Sequence, residues 1–555
     1  MGKSANTRGS GKGAASVSRR AFLSKGAAGV GAAALAGVSA NEARAQAVKW
    51  DLSADVVIIG AGVSGLAAAI TARDNGASVI SVEENFDIGG RGMLSGGRVH
   101  LGGGHALQQK AGIKDSADQI FKDWVRHDAT VARYSDRDLV RVFADENVPT
   151  FNFLVENGVE FIEKPIGPEA ASTVPRTFVT VEWQNQDEIY APGGGRNGSG
   201  LVRRLEQSAR RKGVQILLRH EMKSIVREHA SSGKVLGITV AHPGGTLNIE
   251  ARKGVIIATG GHTGNVNFRR TFDPRLTEEY QQACLPYVFQ GAKGELAAME
   301  IGASLWATAN QTSESGAAIT KTRHVGCRWG YSSLVFQPES KLFPLAKATG
   351  LTVSDWQNMI FVNQSGQRFW NEVDGSYRFF AAAMAYNGDP SKLNGGGPIW
   401  AIFDADAVAR EKWDPKPPHV DPDGYFASAD TVAELAPRIK NPHQKKPISG
   451  AVLEATVNRY NSFVASGTDT DFKKPTPMFK IEKPPFYAAW ATPILHDTLT
   501  GLRSNTNGEV IDIRGQVIPS LYCCGESQGG FAQHGLARCL SFGRVAGRNA
   551  AKGAA

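Results

Sequence analysis

The chain has 555 residues, long enough for two or more domains, and 42% hydrophobic with 21% charged residues marks an ordinary globular protein rather than a disordered or fibrous one. Its formal net charge is +9, but residues 1–45 hold seven Lys/Arg against Glu42 alone, so only +3 belongs to the rest. That balance gives nucleic-acid binding no support. The five cysteines are scattered and make neither a CxxC pair nor a CxxCH, so neither a disulfide framework nor a chain-borne c-type haem is expected.

Residues 1–45 read as a targeting segment. Ser18-Arg19-Arg20-Ala21-Phe22-Leu23 resembles a twin-arginine export motif, followed by an Ala/Gly-rich stretch from Gly26 to Ala40 and small residues suited to cleavage near Ala45. The stretch is too short and too Gly/Ala-rich to span a bilayer comfortably. No later segment approaches 18 apolar residues, so the mature protein is expected not to span a membrane. Export in the folded state suits a protein that takes up its cofactor first. The expected location is the periplasm, or otherwise across the cytoplasmic membrane.

Val56–Ile59 forms an apolar run that enters Gly60-Ala61-Gly62-Val63-Ser64-Gly65, an Ala-rich helical segment follows, and Ser78–Val82 leads to Glu83. This strand–turn–helix–strand–acid order is that of a dinucleotide-binding unit. Gly60 permits the tight turn, Gly62 lets the backbone approach a pyrophosphate, and Gly65 lets helix and sheet pack closely. Val63 and Ser64 open the helix whose N-terminus faces the phosphates. Glu83, with Glu84 beside it, is placed to accept hydrogen bonds from ribose hydroxyls.

Asp115 to Val155 reads largely as helix by its apolar spacing and ends at Asn157-Gly158. A loop at Gly193–Gly198 leads to a basic amphipathic helix, Leu201–Lys212. Val214–Leu218, Ser224–Arg227 and Val235–Ala241 read as a small meander. Gly254–Gly261 is a buried strand running into a glycine turn, Ala258-Thr259-Gly260-Gly261. From Asn265 to Pro485 aromatics, prolines and irregular stretches increase, and near Thr492 the α/β texture returns. The expected divisions are a first part of the nucleotide-binding domain at 50–265, a second domain at 266–485 and a return at 486–555. Adjacent Cys523 and Cys524 read as buried packing residues. His100 and His105 lack the spacing and carboxylate company of a metal site, so none is expected. His262, just after the glycine turn, reads as structural.

Taken together, these motifs resemble the fumarate reductase and 3-ketosteroid Δ1-dehydrogenase superfamily of FAD flavoproteins. The further markers are Ile88-Gly89-Gly90 to Ser95-Gly96-Gly97, Val362-Asn363 to Gly366-Gln367-Arg368-Phe369, Asn371-Glu372, His496 with Gly501-Leu502, and Leu521 to Glu526. The resemblance implies an α/β fold: a discontinuous Rossmann-like FAD-binding domain with an inserted α+β capping domain. It implies non-covalent FAD, since no histidine stands between Asn85 and Val99. It also implies flavin contacts at Gly90, Arg91, Ser95, Gly96 and Gly97, at Met222 on the adenine, at Thr259 and Gly260, at Gly525 and Glu526, and at Leu540 and Ser541.

On the substrate side, His534-Gly535-Leu536-Ala537-Arg538 resembles the His-Gly-x-x-Arg of fumarate reductases, whose arginine clamps a carboxylate. Where that group pairs two histidines, this chain has His496-Asp497, and a carboxylate there would repel a substrate dianion. Fumarate itself is therefore not the expected substrate. Arg368-Phe369-Trp370-Asn371-Glu372 to Tyr377 resembles the ketosteroid group's segment ending in a catalytic tyrosine, one residue late. The expected function is FAD-dependent hydrogen transfer across a C–C bond beside a carbonyl. Tyr377 is the first candidate for the proton, Arg378 the alternative, and His534 and Arg538 would polarise or orient a small carbonyl substrate. A separate electron carrier, a quinone or a c-type cytochrome, is expected. The alternatives are an FAD-dependent oxidase or hydroxylase and an electron-transfer subunit without its own substrate.

Overall fold

The computed structural model describes residues 48–126, 135–168, 171–184, 197–306, 317–320, 324–328, 343–374, 397–445, 447–531, 533 and 535–553. The apolar run before the glycines forms β1 (Leu52–Ile59), the Ala-rich segment α1 (Val63–Asp74), and the second run β2 (Val79–Glu83). β1 and β2 are parallel, with Val56 opposite Val79 and Ile59 opposite Val82. Strands buried on both faces need apolar residues on both sides, which is why neither run alternates.

A small antiparallel sheet follows, β3 (Arg98–His100), β4 (Phe161–Ile166) and β5 (Thr177–Thr180). The helical reading of 115–155 resolves into two helices, α2 (Ala117–Val125) and α3 (Arg137–Glu156). Each starts on its own cap: the Ser116 hydroxyl accepts from the Gln119 amide, and the Asp136 carboxylate from those of Asp138 and Leu139. The basic helix begins earlier than expected, as α4 (Asn197–Arg211).

One strand lies elsewhere than expected. β6 (Gln215–Leu218) pairs parallel to β2 at the edge of the parallel strands rather than with the meander strands, which belong to the same sheet. It follows a crossover through α4, and such a connection delivers a parallel strand. The meander itself is β7 (Glu221–Arg227), β8 (Val235–His242) and the first half of the long β9 (Gly245–Ile257). The second half of β9 lies parallel to β1.

After α5 (Lys293–Glu300) comes a separate antiparallel sheet, β10 (Ile360–Val362), β11 (Trp400–Phe403), β12 (Phe426–Ala429) and β13 (Phe486–Trp490), in the order β10-β11-β13-β12. Leu453, Val457 and Tyr460 of α6 (Gly450–Ser466) join one of its apolar faces. Beside this sheet the Arg368-to-Glu372 segment makes a buried ionic staple. Arg368 bonds Glu372 at 2.9 Å and Asp469 at 3.0 Å, and Lys474 lies 3.3 Å from Glu372. Burial pushes the Glu372 pKa up, but Lys474 and Arg368 outweigh it and hold the carboxyl below its ordinary range.

The chain then returns through β14 (Ile494–Thr498) to β15 (Glu509–Ile511) and β16 (Val517–Cys523), which completes the first sheet in the order β15-β16-β9-β1-β2-β6. The last helix, α7 (Leu536–Lys552), lies against α1. Small residues let the two backbones approach: a Cβ on Gly547 would stand 2.3 Å from the Ala68 carbonyl oxygen, and one on Gly543 2.4 Å from that of Ser64.

Candidate functional site

A cleft opens where β1, β2 and β9 end, at the carboxyl edge of the parallel sheet where ligands of such sheets bind. Gly60 turns the chain out of β1 with φ at +103°, and a Cβ there would lie 2.4 Å from the Ala258 oxygen. Gly65 packs so closely that a Cβ would stand 1.9 Å from the Gly60 oxygen. Gly62 differs from both. A Cβ on it would meet no atom within 4 Å, because it faces the cleft. Among the described residues no side chain caps the start of α1, so its first amides can meet an anionic ligand.

Glu83 closes the far side of this turn. Its oxygens accept from the Ala61 amide at 2.8 Å and the Asn85 amide at 2.9 Å. Burial nonetheless pushes its pKa up to about 7. Beyond it, His220, Met222 and Lys293 line the same end, with Lys293 held between Glu84 at 2.5 Å and Glu221 at 2.7 Å. The opposite wall is the Gly89–Gly92 turn with Ser95, tied to the fingerprint by the Gly89 amide on the Ala61 oxygen at 2.9 Å.

The other pole of the cleft is polar. Arg91 donates to the Thr263 hydroxyl at 2.6 Å and to the His496 carbonyl, and lies 3.4 Å from Asp497 and 3.5 Å from Glu526. The ring of His496 lies 2.9 Å from Asp497. Gln290 donates to Glu526 at 2.8 Å. Burial pushes the Glu526 pKa up to about 7; Arg91 opposes that rise and Asp497 adds to it.

Thirteen of the expected cofactor residues line this cleft: Gly60, Gly62, Val63, Ser64, Glu83, Glu84, Gly90, Arg91, Ser95, Met222, Thr259, Gly260 and Glu526. Six do not. Gly65 lies behind the turn as its packing contact. Gly96 and Gly97 lead away into β3, with a Cβ on Gly97 standing 2.4 Å from the Thr180 hydroxyl. Gly525 packs on Ser64. On α7 it is Leu536 and Cys539 that reach the cleft, whereas Leu540 is in the core and Ser541 bonds Thr150 at 3.2 Å. Two steps of about 100° separate Ser541 from Cys539 around the helix, which turns it away.

Arg538 is buried behind this pole rather than on the cleft wall. Its guanidinium donates to the Gln528 carbonyl and, at 3.4 Å, to that of Thr498. Tyr377, Arg378 and His534 lie outside the described residues. The sequence reading missed Gln290, Lys293, His220 and Cys539. Gln290 carried no readable signal, since it stands in an irregular stretch and acquires its role only through Glu526 and Gly260.

FAD fits these residues. Gly62 leaves the space a pyrophosphate needs, the α1 amides face it, and Glu83 offers the ribose a carboxylate. Comparison with known proteins agrees: the model of the family described as FAD binding domain matches residues 55–539. A "Fumarate reductase (cytochrome)" of Shewanella frigidimarina is 27% identical over 90% of this chain and 77% of that protein. An "Acrylate reductase flavoprotein subunit" of Shewanella woodyi is also 27% identical, over 96% of this chain and 98% of that protein. The fold is that of a crystallised 3-ketosteroid Δ1-dehydrogenase from Sterolibacterium denitrificans, with a TM-score of 0.66 at 21% identity over 90% and 99% of the two chains.

Proposed function

The chain belongs to the FAD binding domain family and is an FAD-dependent oxidoreductase, and on that premise we propose that it transfers hydrogen across a C–C bond conjugated to a carbonyl, on a monocarboxylic acid, enone or cyclic ketone rather than a dicarboxylate. When bound, FAD supplies hydride exchange at its N5. The observation that carries the substrate class is the charge at the polar pole. Arg91 faces Asp497 and Glu526 together, so the cationic charge that a dianion would require is already matched by protein carboxylates. One carboxylate or a neutral carbonyl suits that balance better. The near full-length likeness to an acrylate reductase subunit supports the same choice.

In this reading Arg538 acts from behind the cleft wall by fixing the backbone of the pole through Thr498 and Gln528, and His534 polarises the carbonyl. Tyr377 exchanges the proton, with Arg378 as the alternative donor. Electrons reach or leave the protein through a quinone or a c-type cytochrome, and the Arg19-Arg20 segment directs export.

The test is a screen of unsaturated monoacids, enones, cyclic ketones and fumarate, following flavin bleaching and recovery. A monoacid or ketone turned over at least about tenfold more efficiently than fumarate is expected, a difference of about 1.4 kcal/mol. Preference for fumarate would refute the substrate class.

A further inference from the structure

At the polar pole of the cleft, four side chains from four separate parts of the chain close a ring. Arg91 stands on the Gly89–Gly92 turn, Thr263 comes just after β9, Gln290 precedes α5, and Glu526 follows β16. The Arg91 guanidinium donates to the Thr263 hydroxyl at 2.6 Å, and that hydroxyl donates to the Gln290 side-chain oxygen at 2.9 Å. The Gln290 amide in turn donates to Glu526 Oε2 at 2.8 Å. Arg91 Nη1, 3.5 Å from the same Oε2, completes the ring as an ion pair. Among the described residues, the Gln290 amide makes the only hydrogen bond to the Glu526 side chain.

The hydrogens in this ring all run one way. A guanidinium can only donate, so the Thr263 oxygen accepts from Arg91 and its own hydrogen points to Gln290. That hydrogen claims the amide oxygen and turns the amide nitrogen to Glu526. Turned round, Gln290 would set its oxygen against a carboxylate and leave the Thr263 hydrogen without an acceptor. Gln290 is itself buried, with its backbone amide bonded to the Gln282 side chain at 2.8 Å. Gly260 makes room for it, since a Cβ there would stand 2.7 Å from the Gln290 amide nitrogen.

The charges around Glu526 leave its own poorly matched. Arg91 is shared with Asp497 at 3.4 Å, and the His496 ring lies 2.9 Å from that same Asp497. Arg538 and Cys539 face it from α7, where burial holds the Cys539 thiol well above its ordinary range and so neutral. Burial pushes the Glu526 pKa up to about 7, against Arg91, the Gln290 hydrogen bond and Arg538, and with Asp497 adding to the rise. The side chain is 12% exposed and lines the cleft. With the ribose at Glu83 and the pyrophosphate at Gly62, this pole is left for the flavin half of FAD. We propose that Gln290 is a positioning residue for bound FAD, holding the Glu526 carboxylate ionised at the flavin half of the cleft through the one-way circuit from Arg91 and Thr263. The proposal depends on FAD binding and not on the substrate. A hydrogen bond donated to a carboxylate favours the anion, and an anion in the cleft opposes the arrival of electrons on a flavin there. Gln290 therefore makes bound FAD harder to reduce over the range of pH in which Glu526 titrates.

The test measures the flavin reduction potential of the FAD-loaded full chain against pH, by stepwise dithionite reduction beside a reference dye. The variants are Gln290→Met, Glu526→Gln, the two combined, Thr263→Val and Thr263→Ser. Subtracting the Glu526→Gln curve isolates the titration of Glu526. Its midpoint should stand about one pH unit or more higher in Gln290→Met than in the wild type, the size of a hydrogen bond to a charged group. Gln290→Met should thus be easier to reduce just above the wild-type midpoint and equal to the wild type well below it. Thr263→Val should move the midpoint the same way, because the Gln290 amide loses the hydrogen that fixes its direction, and Thr263→Ser should restore it. On top of Glu526→Gln, the Gln290→Met change should leave the curve where it was. A midpoint that Gln290→Met does not move overturns the proposal. So does an equal displacement in the combined variant, which would mark Gln290 as packing. If Gln290→Met holds no FAD, the Thr263 pair decides. A Thr263→Val shift undone in Thr263→Ser supports the circuit, and a Thr263→Val curve identical to that of the wild type overturns it.

Discussion

Glu83 joins the ligand chemistry of the cleft to pH. Its ordinary pKa of 4.5 is pushed up to about 7 by burial, against two backbone amides that favour the ionised form. Ribose hydroxyls donate, so FAD selects the ionised carboxylate. FAD affinity should therefore rise with pH up to about 7, by at most about tenfold per unit, and level off above. The sign for the FAD-free fold is opposite. Between 4.5 and about 7 the unfolded chain has released this proton while the fold still holds it, so this group's contribution to stability falls as pH rises through that window. Titrating apoprotein with FAD at stepped pH checks the first point, and Glu83→Gln should remove the slope. The glycines give a second contrast. Gly62→Val adds atoms into open cleft and should yield a folded, colourless protein. Gly65→Val drives them into the Gly60 carbonyl and should not fold. Circular dichroism with flavin absorbance separates the two outcomes. These roles were legible because strand, glycines and acid keep fixed spacings along the sequence. Gln290 and His220 were not, because nothing in their own neighbourhoods marks them.

Among the elements, the crossing of α1 and α7 depends on small residues at both helices. Gly547 has the Ala68 backbone within 3 Å of any added Cβ, and Gly543 has that of Ser64. Gly547→Leu should force the helices apart at a cost of about 1–3 kcal/mol or more, as overpacking does. Since α1 presents its first amides to the cleft, FAD affinity should fall with stability. Chemical denaturation together with FAD titration checks this, and unchanged values for both would mean that the helices can slide without loss. The parallel core strands were readable from uninterrupted apolar runs. The placement of β6 was not, since a four-residue strand carries no mark of which strand it pairs with, and only the crossover through α4 decides it. The Arg368–Glu372 segment was legible as a motif but not as a buried staple, because Asp469 and Lys474 lie about a hundred residues away.

At the scale of the molecule, the cleft cannot exist until the whole chain has been made. Its walls come from residues near 60–95, 220, 258–293 and 496–539, and β16, from the far end, completes the sheet beside β9. A protein built this way has its whole cleft only after its C-terminal strand and helix are in place. If the chain is exported as proposed, export must carry a folded protein, which is the service a twin-arginine segment provides. Arg19 and Arg20 lie outside the described residues, so this prediction rests on their sequence context and on the fold together. Replacing both by Lys keeps the charge but removes the paired guanidinium groups. The variant should accumulate inside the cytoplasmic membrane as an uncleaved, yellow precursor with FAD bound. Fractionation, with flavin fluorescence measured in each fraction, reads the result. Export at the wild-type level would show that the arginine pair is not the signal. A colourless cytoplasmic precursor would show that FAD is acquired only after export, against the order of assembly that the discontinuous cleft implies.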